Sequence, residues 1–482
     1  MFYLGKILTF NSLIFLVFIS IFLIFYFFFK SKIKILYILF ASYIFYSFWD
    51  WRFLALILLS TVVDYFLGSK LGIEKRIIHR RLLLFISIFT NLTILGIFKY
   101  LDFFVESFAL LLTNIGFKPD WPTLNIILPV GISFYTFQSL SYTIDIYKKK
   151  IEPEKSFLNF AAYISMFPQL VAGPIVRASK LLPQLRAPKE INFYRLFKGV
   201  ELIIWGYLLK VVLADNLGFL ININGYFDNP QSFASLDLIL ATLMFSFQIY
   251  GDFAGYSLIA IGLAKILGFD LDPNFKRPYF ASSFSEFWKR WHISLSSWLR
   301  DYLYISIGGN RKGYIRTSFN LITTMVLGGL WHGAALTFII WGLLHGIYLI
   351  IFKYLASILN YNTNKYIKAV QKILLIFIVF SLTSIAWVFF RSNSLDDSIY
   401  IIKAIFTFDI STTNSNFATP LVVKCFLGLF FVLIVDIFRE TRFIYSIYKK
   451  SYSLRVLGIF ISAWTILLFG NFSGNEFVYF QF

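Results

Sequence analysis

The chain has 482 residues, of which 58% are hydrophobic, 21% aromatic and only 14% charged, and its mean hydropathy is +0.73. Soluble globular chains are about half apolar and a quarter charged, so this composition excludes a soluble enzyme or a soluble binding module. A formal net charge of +19 would point to nucleic acid in a soluble protein; in a chain this apolar, the basic residues instead mark cytoplasmic loops.

The first apolar run, Ile7–Phe29, is about long enough to span a bilayer. It is too long for a signal-peptide core and no small-residue cleavage site follows it, so it is expected to remain as a first helix. Lys30, Lys32 and Lys34 follow this run and only Lys6 precedes it, which predicts an outward N-terminus. The clusters KRIIHRR (75–81) and KKK (148–150) then fall inside, with His79 a solvated loop residue. Further apolar runs lie at Leu82–Phe98, Leu238–Phe269, Phe319–Phe352, Ile373–Phe390, Leu421–Phe438 and Leu457–Leu468. They predict a polytopic, all-α membrane protein with roughly eleven to thirteen membrane-associated helices, because lone strands cannot satisfy their backbone in lipid and the alternating pattern of a barrel is absent. No repeat of fixed period and no separate polar domain is visible. The reading is one integral membrane domain over 1–482, with N-terminal helices at 1–120, a core at 121–350 and C-terminal helices at 351–482. The single Cys425 allows no internal disulfide and no thiolate metal cluster, so a buried, inert thiol is expected.

Two polar islands interrupt the apolar pattern. MFPQLVAGPIVRASKLLPQLRAPKE (166–190) places Pro168, Gly173 and Pro174 in an apolar run. Proline removes a helical hydrogen bond, and the freed backbone must then be covered by protein; a broken or re-entrant element and a kinked spanning helix both fit. The second island contains FSEFWKRWHISLSSWLRDYLYI (284–305). Phe284, Phe287, Trp288, Trp291, Leu295, Trp298, Tyr302 and Ile305 recur at steps of three and four and make one helical face, with Glu286, Lys289, Arg290, Arg300 and Asp301 opposite. A helix so polar on one side does not cross lipid alone; it lies in the interface or turns its polar face to protein or a wet cavity. His292 sits at the border of the two faces, as an interfacial histidine or a site residue. GGNRKG (308–313) lacks the spacing of a phosphate loop, and no strand precedes it.

Between Arg316 and Lys353 there is no Asp, Glu, Lys or Arg, only His332 and His345. An ionisable side chain at membrane depth is costly and is a functional candidate by default. His332 lies in LGGLWHGAALTF, beside Trp331 and among Gly328, Gly329 and Gly333, small residues that let a backbone or slender ligand come close. On one continuous helix the two histidines would point about 220° apart. A hydrogen bond to a neighbouring helix would account for His345.

A buried neutral histidine serves either as a general base in acyl transfer or as a proton relay in a transporter. A transporter would show paired intramembrane carboxylates and an inverted repeat. Asp64, Asp145, Asp215, Asp252 and Asp436 lie near span ends with no evident pairing. An acyltransferase would show one buried histidine, a second polar residue upstream and a basic entrance for an anionic donor, a pattern met by His332, His292 and Arg311–Lys312–Arg316.

Taken together, LPVGISFYTFQSLSYTIDIY (128–147), MFPQLVAGPIVR (166–177), the stretch 252–313 including RWHIS, LGGLWHGAALTFIIWGLLHG (327–346), WVFFR (387–391) and FVYFQF (477–482) resemble the membrane-bound O-acyltransferases. The resemblance runs over essentially the whole chain and is nearest to the bacterial branch that O-acetylates alginate, peptidoglycan and other exported glycans. Ser306 departs from the proline expected before the glycine pair. The resemblance implies a helical ring around a central tunnel in the bacterial cytoplasmic membrane. It implies His332 as the catalytic histidine and His292 as the second signature residue. Trp291, Trp331, Arg311, Lys312, Arg316 and Asn320 are the expected substrate- or donor-binding residues, and each basic one equally fits a positive-inside role. It further implies no bound cofactor or metal, acetyl-coenzyme A as the donor, and an exported partner protein that completes transfer to the glycan. The alternative within the same fold is D-alanyl transfer to teichoic acid from a carrier-protein thioester.

Overall fold

A computed structural model describes residues 9–117, 126–170, 173–187, 191–358, 365–408, 420–472 and 477–478. All regular structure among them is helical. Seven helices are long and apolar enough to cross a membrane: Ile33–Ile73, Ile77–Asn114, Ser235–Ile266, Leu336–Leu355, Ile367–Arg391, Leu421–Glu440 and Tyr452–Phe469. The first of these bends where Asp50 adopts φ −159° and ψ 113°, leaving the 20-residue helices Ser31–Asp50 and Leu54–Ile73. The remaining apolar stretches are short or broken helices. The N-terminal run forms Leu13–Phe28, begun by the Ser12 hydroxyl accepting from the Phe15 amide at 3.1 Å; its expected start at residues 7 and 8 lies outside the described residues.

The chain forms two compact units, residues 1–200 with 260–272, and residues 201–259 with 273–482. In the first unit, the helix Ile132–Tyr147 is buried almost all round, so it meets protein on every side and carries polar residues that lipid would reject. Asp64 accepts from Ser87 (2.6 Å) and Asn91 (2.8 Å), Ser87 also donates to Thr143 (2.9 Å), and Ser60 contacts Asn91 and Ser139. Hydrogen bonds of this kind hold spanning helices together where no hydrophobic difference with lipid does so. The guanidinium of Arg80 donates to the Glu74, Ile146 and Tyr147 carbonyls, tying the two basic clusters at 75–81 and 148–150 to one end of the unit. His79 is exposed as expected but lies in the first turn of Ile77–Leu95, 3.5 Å from Glu74. The first polar island is a broken element: Phe157–Ser165, the four-residue helix Phe167–Leu170, then Ala178–Arg186. A cysteine placed at Ile78, which is 74% exposed, should react with thiol reagents only from the cytoplasmic face; labelling from the outside would reverse the orientation.

The second unit carries the candidate site. Its central feature is a helical hairpin, Gly313–His332 followed by Leu336–Ile358. The run Phe319–Phe352 is therefore two antiparallel helices and not one span. A Cβ on Gly329 would strike the Phe338 carbonyl, and one on Gly342 the Met325 carbonyl; glycine at both positions lets the backbones touch. Ring pairs Phe338–Phe390 and Trp341–Trp387 set Lys365–Arg391 antiparallel to the second hairpin helix, so Phe390 meets the hairpin's closed end. Cys425 is buried.

Candidate functional site

His332 is the last residue of the first hairpin helix, 3% exposed, at the closed end of the hairpin. Its ring is walled edge-on by Trp331 (centroids 5.0 Å), Trp341 (5.0 Å) and Phe390 (5.3 Å). His292 comes from 40 residues earlier, is fully buried, and lies 6.4 Å from His332 between ring centroids. It also packs on Trp331 (5.8 Å) and Phe253 (4.6 Å). Two histidines named separately from the sequence thus share one water-poor aromatic chamber. Burial pushes the His292 imidazole down to about 3, because an apolar surrounding penalises the charged ring.

The segment 284–305 is not the single helix its periodicity predicts. It divides into Phe284–Arg290, Ile293–Trp298 and a π-helical turn, Leu299–Tyr304. The break falls at His292, which takes the left-handed conformation (φ 41°, ψ 55°), uncommon for a residue with a Cβ. Several interactions hold it there. The Ser283 hydroxyl accepts from the Glu286 amide and Glu286 accepts in turn from the Ser282 amide, a start signal for the first piece. Arg290 donates to Glu286 (2.7 Å) and Glu440 (3.0 Å), and Arg277 donates to Glu440 (2.7 Å). Asn274 Oδ1 accepts from the Ser294 amide (3.1 Å) and faces His292 Nδ1 at 3.2 Å. The apolar face expected from the spacing is real up to its last residue: Phe284, Phe287, Trp288, Trp291, Leu295, Trp298 and Tyr302 are all buried, and only Ile305 is exposed. The segment is no lipid-exposed span.

A groove of ≈ 610 Å³ runs beside this broken element, lined on its polar side by Ser285, Lys289, Ser296 and Arg300 and on the hairpin side by Thr324, Met325 and Lys353. Met325 and His332 are seven residues apart on one helix, so they share a face two turns, about 10 Å, apart. The groove thus reaches Met325 and Ile293, the neighbour of His292, while neither histidine lines it. A second cavity of ≈ 170 Å³ is polar and is lined by Lys210, Asp215, Asn222, Gln248, Asp252 and Arg391. Arg391 follows Phe390, which walls His332, and Asp252 precedes Phe253, which walls His292.

The other expected site residues fall in three places. Trp331 lines the histidine chamber. Trp291 is fully buried one shell away, stacked on Phe287 (5.7 Å) and against Trp387 (5.0 Å). Asn320 is buried and donates to the Gly309 carbonyl at 2.8 Å, pinning a glycine turn in which Gly308 and Gly309 both have positive φ. Arg311, Lys312 and Arg316 are exposed and do not line the groove, whose cations are Lys289, Arg300 and Lys353.

His345 departs from expectation. The hairpin turn folds Trp341, one helical turn before His345 and 4.8 Å from it, against His332, so the two histidines share one wall although their other neighbours differ, as expected. Neither of its ring nitrogens has a hydrogen-bond partner among the described residues, so the expected interhelical hydrogen bond is absent; the ring is fully buried among Phe284, Phe287 and Trp288. Truncation to alanine would leave a cavity and should destabilise the fold. His345→Phe removes an unsatisfied polar group at similar volume and should leave stability equal or higher, read as the melting temperature in detergent.

The carboxylates were also misjudged. Asp215 and Asp252 are paired, both with Lys210, at 2.6 and 2.7 Å, and all three side chains are buried. Asp252 further accepts from the Val478 amide (2.6 Å), and the adjoining Phe477 packs on Phe253 (5.5 Å) and Tyr256 (4.6 Å). The signal was available: Lys210 is a lone cation in the apolar run LIIWGYLLKVVLA (202–214).

Known proteins fit this arrangement. The chain is 39% identical over 446 residues to the probable alginate O-acetylase AlgI of Pseudomonas putida, covering 90% of this chain and 89% of that one. It is 36% identical over 394 residues to the peptidoglycan O-acetyltransferase of Helicobacter pylori, covering 76% and 73%. The teichoic acid D-alanyltransferase of Bacillus subtilis is more distant, at 29% over 241 residues, 48% of this chain and 60% of that one. The model of the membrane-bound O-acyltransferase family matches residues 35–391, which include both histidines, the broken helix and the hairpin, and on that match the chain belongs to the membrane-bound O-acyltransferase family.

Proposed function

We propose that the protein takes an acetyl group from acetyl-coenzyme A on the cytoplasmic side and passes it through the membrane for O-acetylation of an exported glycan, directly or by way of an exported partner protein. The observation that carries this reading is the pair of buried histidines at the closed end of the hairpin, with a basic groove beside the broken element and a polar cavity beside the residues that wall them. Lys289, Arg300 and Lys353 suit the phosphates of an anionic donor. A hydroxyl is a weak nucleophile at neutral pH. His332 accepts the acceptor's hydroxyl proton as that oxygen bonds to the thioester carbonyl carbon; the carbon–sulfur bond breaks, and the thiolate leaves with the proton returned by His332. Exclusion of water protects the thioester from hydrolysis.

D-alanyl transfer is the competing reading. Acetylation is favoured because the acetylating relatives match 76–90% of the chain and the D-alanylating one only 48%. The test is ester analysis of exported polymers from cells with and without the protein. Base-labile acetate that depends on the protein supports the proposal. Ester-linked D-alanine in its place, or no protein-dependent ester, overturns it.

A further inference from the structure

We infer that Asn274 is a positioning residue that fixes the His292 ring as the tautomer with its proton on Nδ1, leaving Nε2 as a hydrogen-bond acceptor. The inference rests on the reading of His292 as part of the transfer site, but the tautomer itself follows from geometry alone. The Asn274 oxygen is identified by its partner: the Ser294 backbone amide, 3.1 Å away, can only donate, so the atom it meets is Oδ1. The Ser294 hydroxyl donates to the same oxygen at 2.9 Å. The amide's other end, Nδ2, donates to the Ser257 hydroxyl at 3.3 Å, which agrees with that orientation. His292 Nδ1 lies 3.2 Å from Oδ1. An acceptor there requires a ring N–H, and a ring that burial keeps neutral has only one proton to give. The proton therefore sits on Nδ1, and Nε2, at the far end of the ring, carries a lone pair.

The consequence is functional. A histidine with bare Nε2 orients a hydroxyl or accepts its proton, whereas the opposite tautomer would donate to a developing oxyanion. Asn274 thereby makes the second histidine of the site an acceptor. The same oxygen accepts from the Ser294 amide at the start of Ile293–Trp298, and the Asn274 backbone carbonyl accepts from the Ile293 amide, so one residue sets both the break in the helix and the ring's protonation. A neutral amide does this without introducing a charge that would stabilise the imidazolium.

The test is nitrogen NMR of the full-length protein in nanodiscs with ring-labelled histidine. With four histidines in the chain, His292→Gln identifies the His292 signals by their loss. The expected spectrum has His292 protonated at Nδ1 and bare at Nε2. In Asn274→Leu the proton should move to Nε2, with acyl transfer falling about 10–100-fold, the range for loss of a group that orients a site histidine. Asn274→Asp keeps an acceptor and should keep the wild-type tautomer. A wild-type His292 protonated at Nε2 overturns the inference even where Asn274→Leu does not fold, and so does an Asn274→Leu spectrum that retains the Nδ1 proton. A spectrum as expected with full transfer in Asn274→Leu leaves the tautomer standing and instead refutes the part given to His292 in transfer.

Discussion

His332→Ala removes nearly all acyl transfer, a fall of about 10²–10⁴-fold, the usual contribution of a general base, while the protein remains folded and membrane-inserted. The side chain lies where the hairpin turns, walled by Trp331, Trp341 and Phe390. Nothing else in the chamber replaces it: His292 is 6.4 Å away between centroids and is held by Asn274. The measurement is acetate released by mild base from exported glycan, at matched protein level. His292→Ala should also lose transfer. His79→Ala should keep it, because that side chain is exposed at the end of the other unit. His345→Phe should keep it as well. Wild-type acetate in His332→Ala would refute the catalytic assignment. An equal loss in His79→Ala would mean that the assay reports protein damage instead of chemistry.

Lys210→Met should destabilise the folded protein by about 3–5 kcal/mol, the cost of stranding buried charge after one partner is removed. Lys210 is 1% exposed and holds Asp215 and Asp252 at 2.6 and 2.7 Å. Without it, two buried carboxylates lose the ammonium that bridges them, leaving Arg391 as the cation among the cavity's described lining residues, and one must take up a proton or draw in water. The expected readout is a lower melting temperature in detergent and less protein in the membrane. A Lys210→Met protein as stable as wild type would show that the ammonium and carboxylates are not coupled as drawn.

Composition alone determined that this chain is a helical membrane protein, because an apolar content of 58% with 14% charge has no soluble solution and lipid leaves few backbone choices. The sequence also singled out His332 and His345, since an ionisable residue in a 36-residue uncharged run is expensive wherever it lies, and the glycines around His332 set it apart from the other. Pro168, Gly173 and Pro174 showed for a local reason that the first island is irregular, since proline removes a donor whatever surrounds it, but left a kinked span and a broken element both open. The tertiary structure decided what depends on distant partners. The helix at 284–305 looked continuous because its apolar period is intact, and the break at His292 comes from Asn274 and from Glu440, 150 residues away from Arg290. The span Phe319–Phe352 looked single because Gly333 is a weak stop signal; its division follows from backbone contact at Gly329 and Gly342. The Lys210–Asp215–Asp252 cluster was hidden because pairing across helices leaves no mark on spacing within any one of them. The groove's cations were hidden for the same reason: Lys289, Arg300 and Lys353 are separated in sequence and become neighbours only when the broken helix packs beside the hairpin.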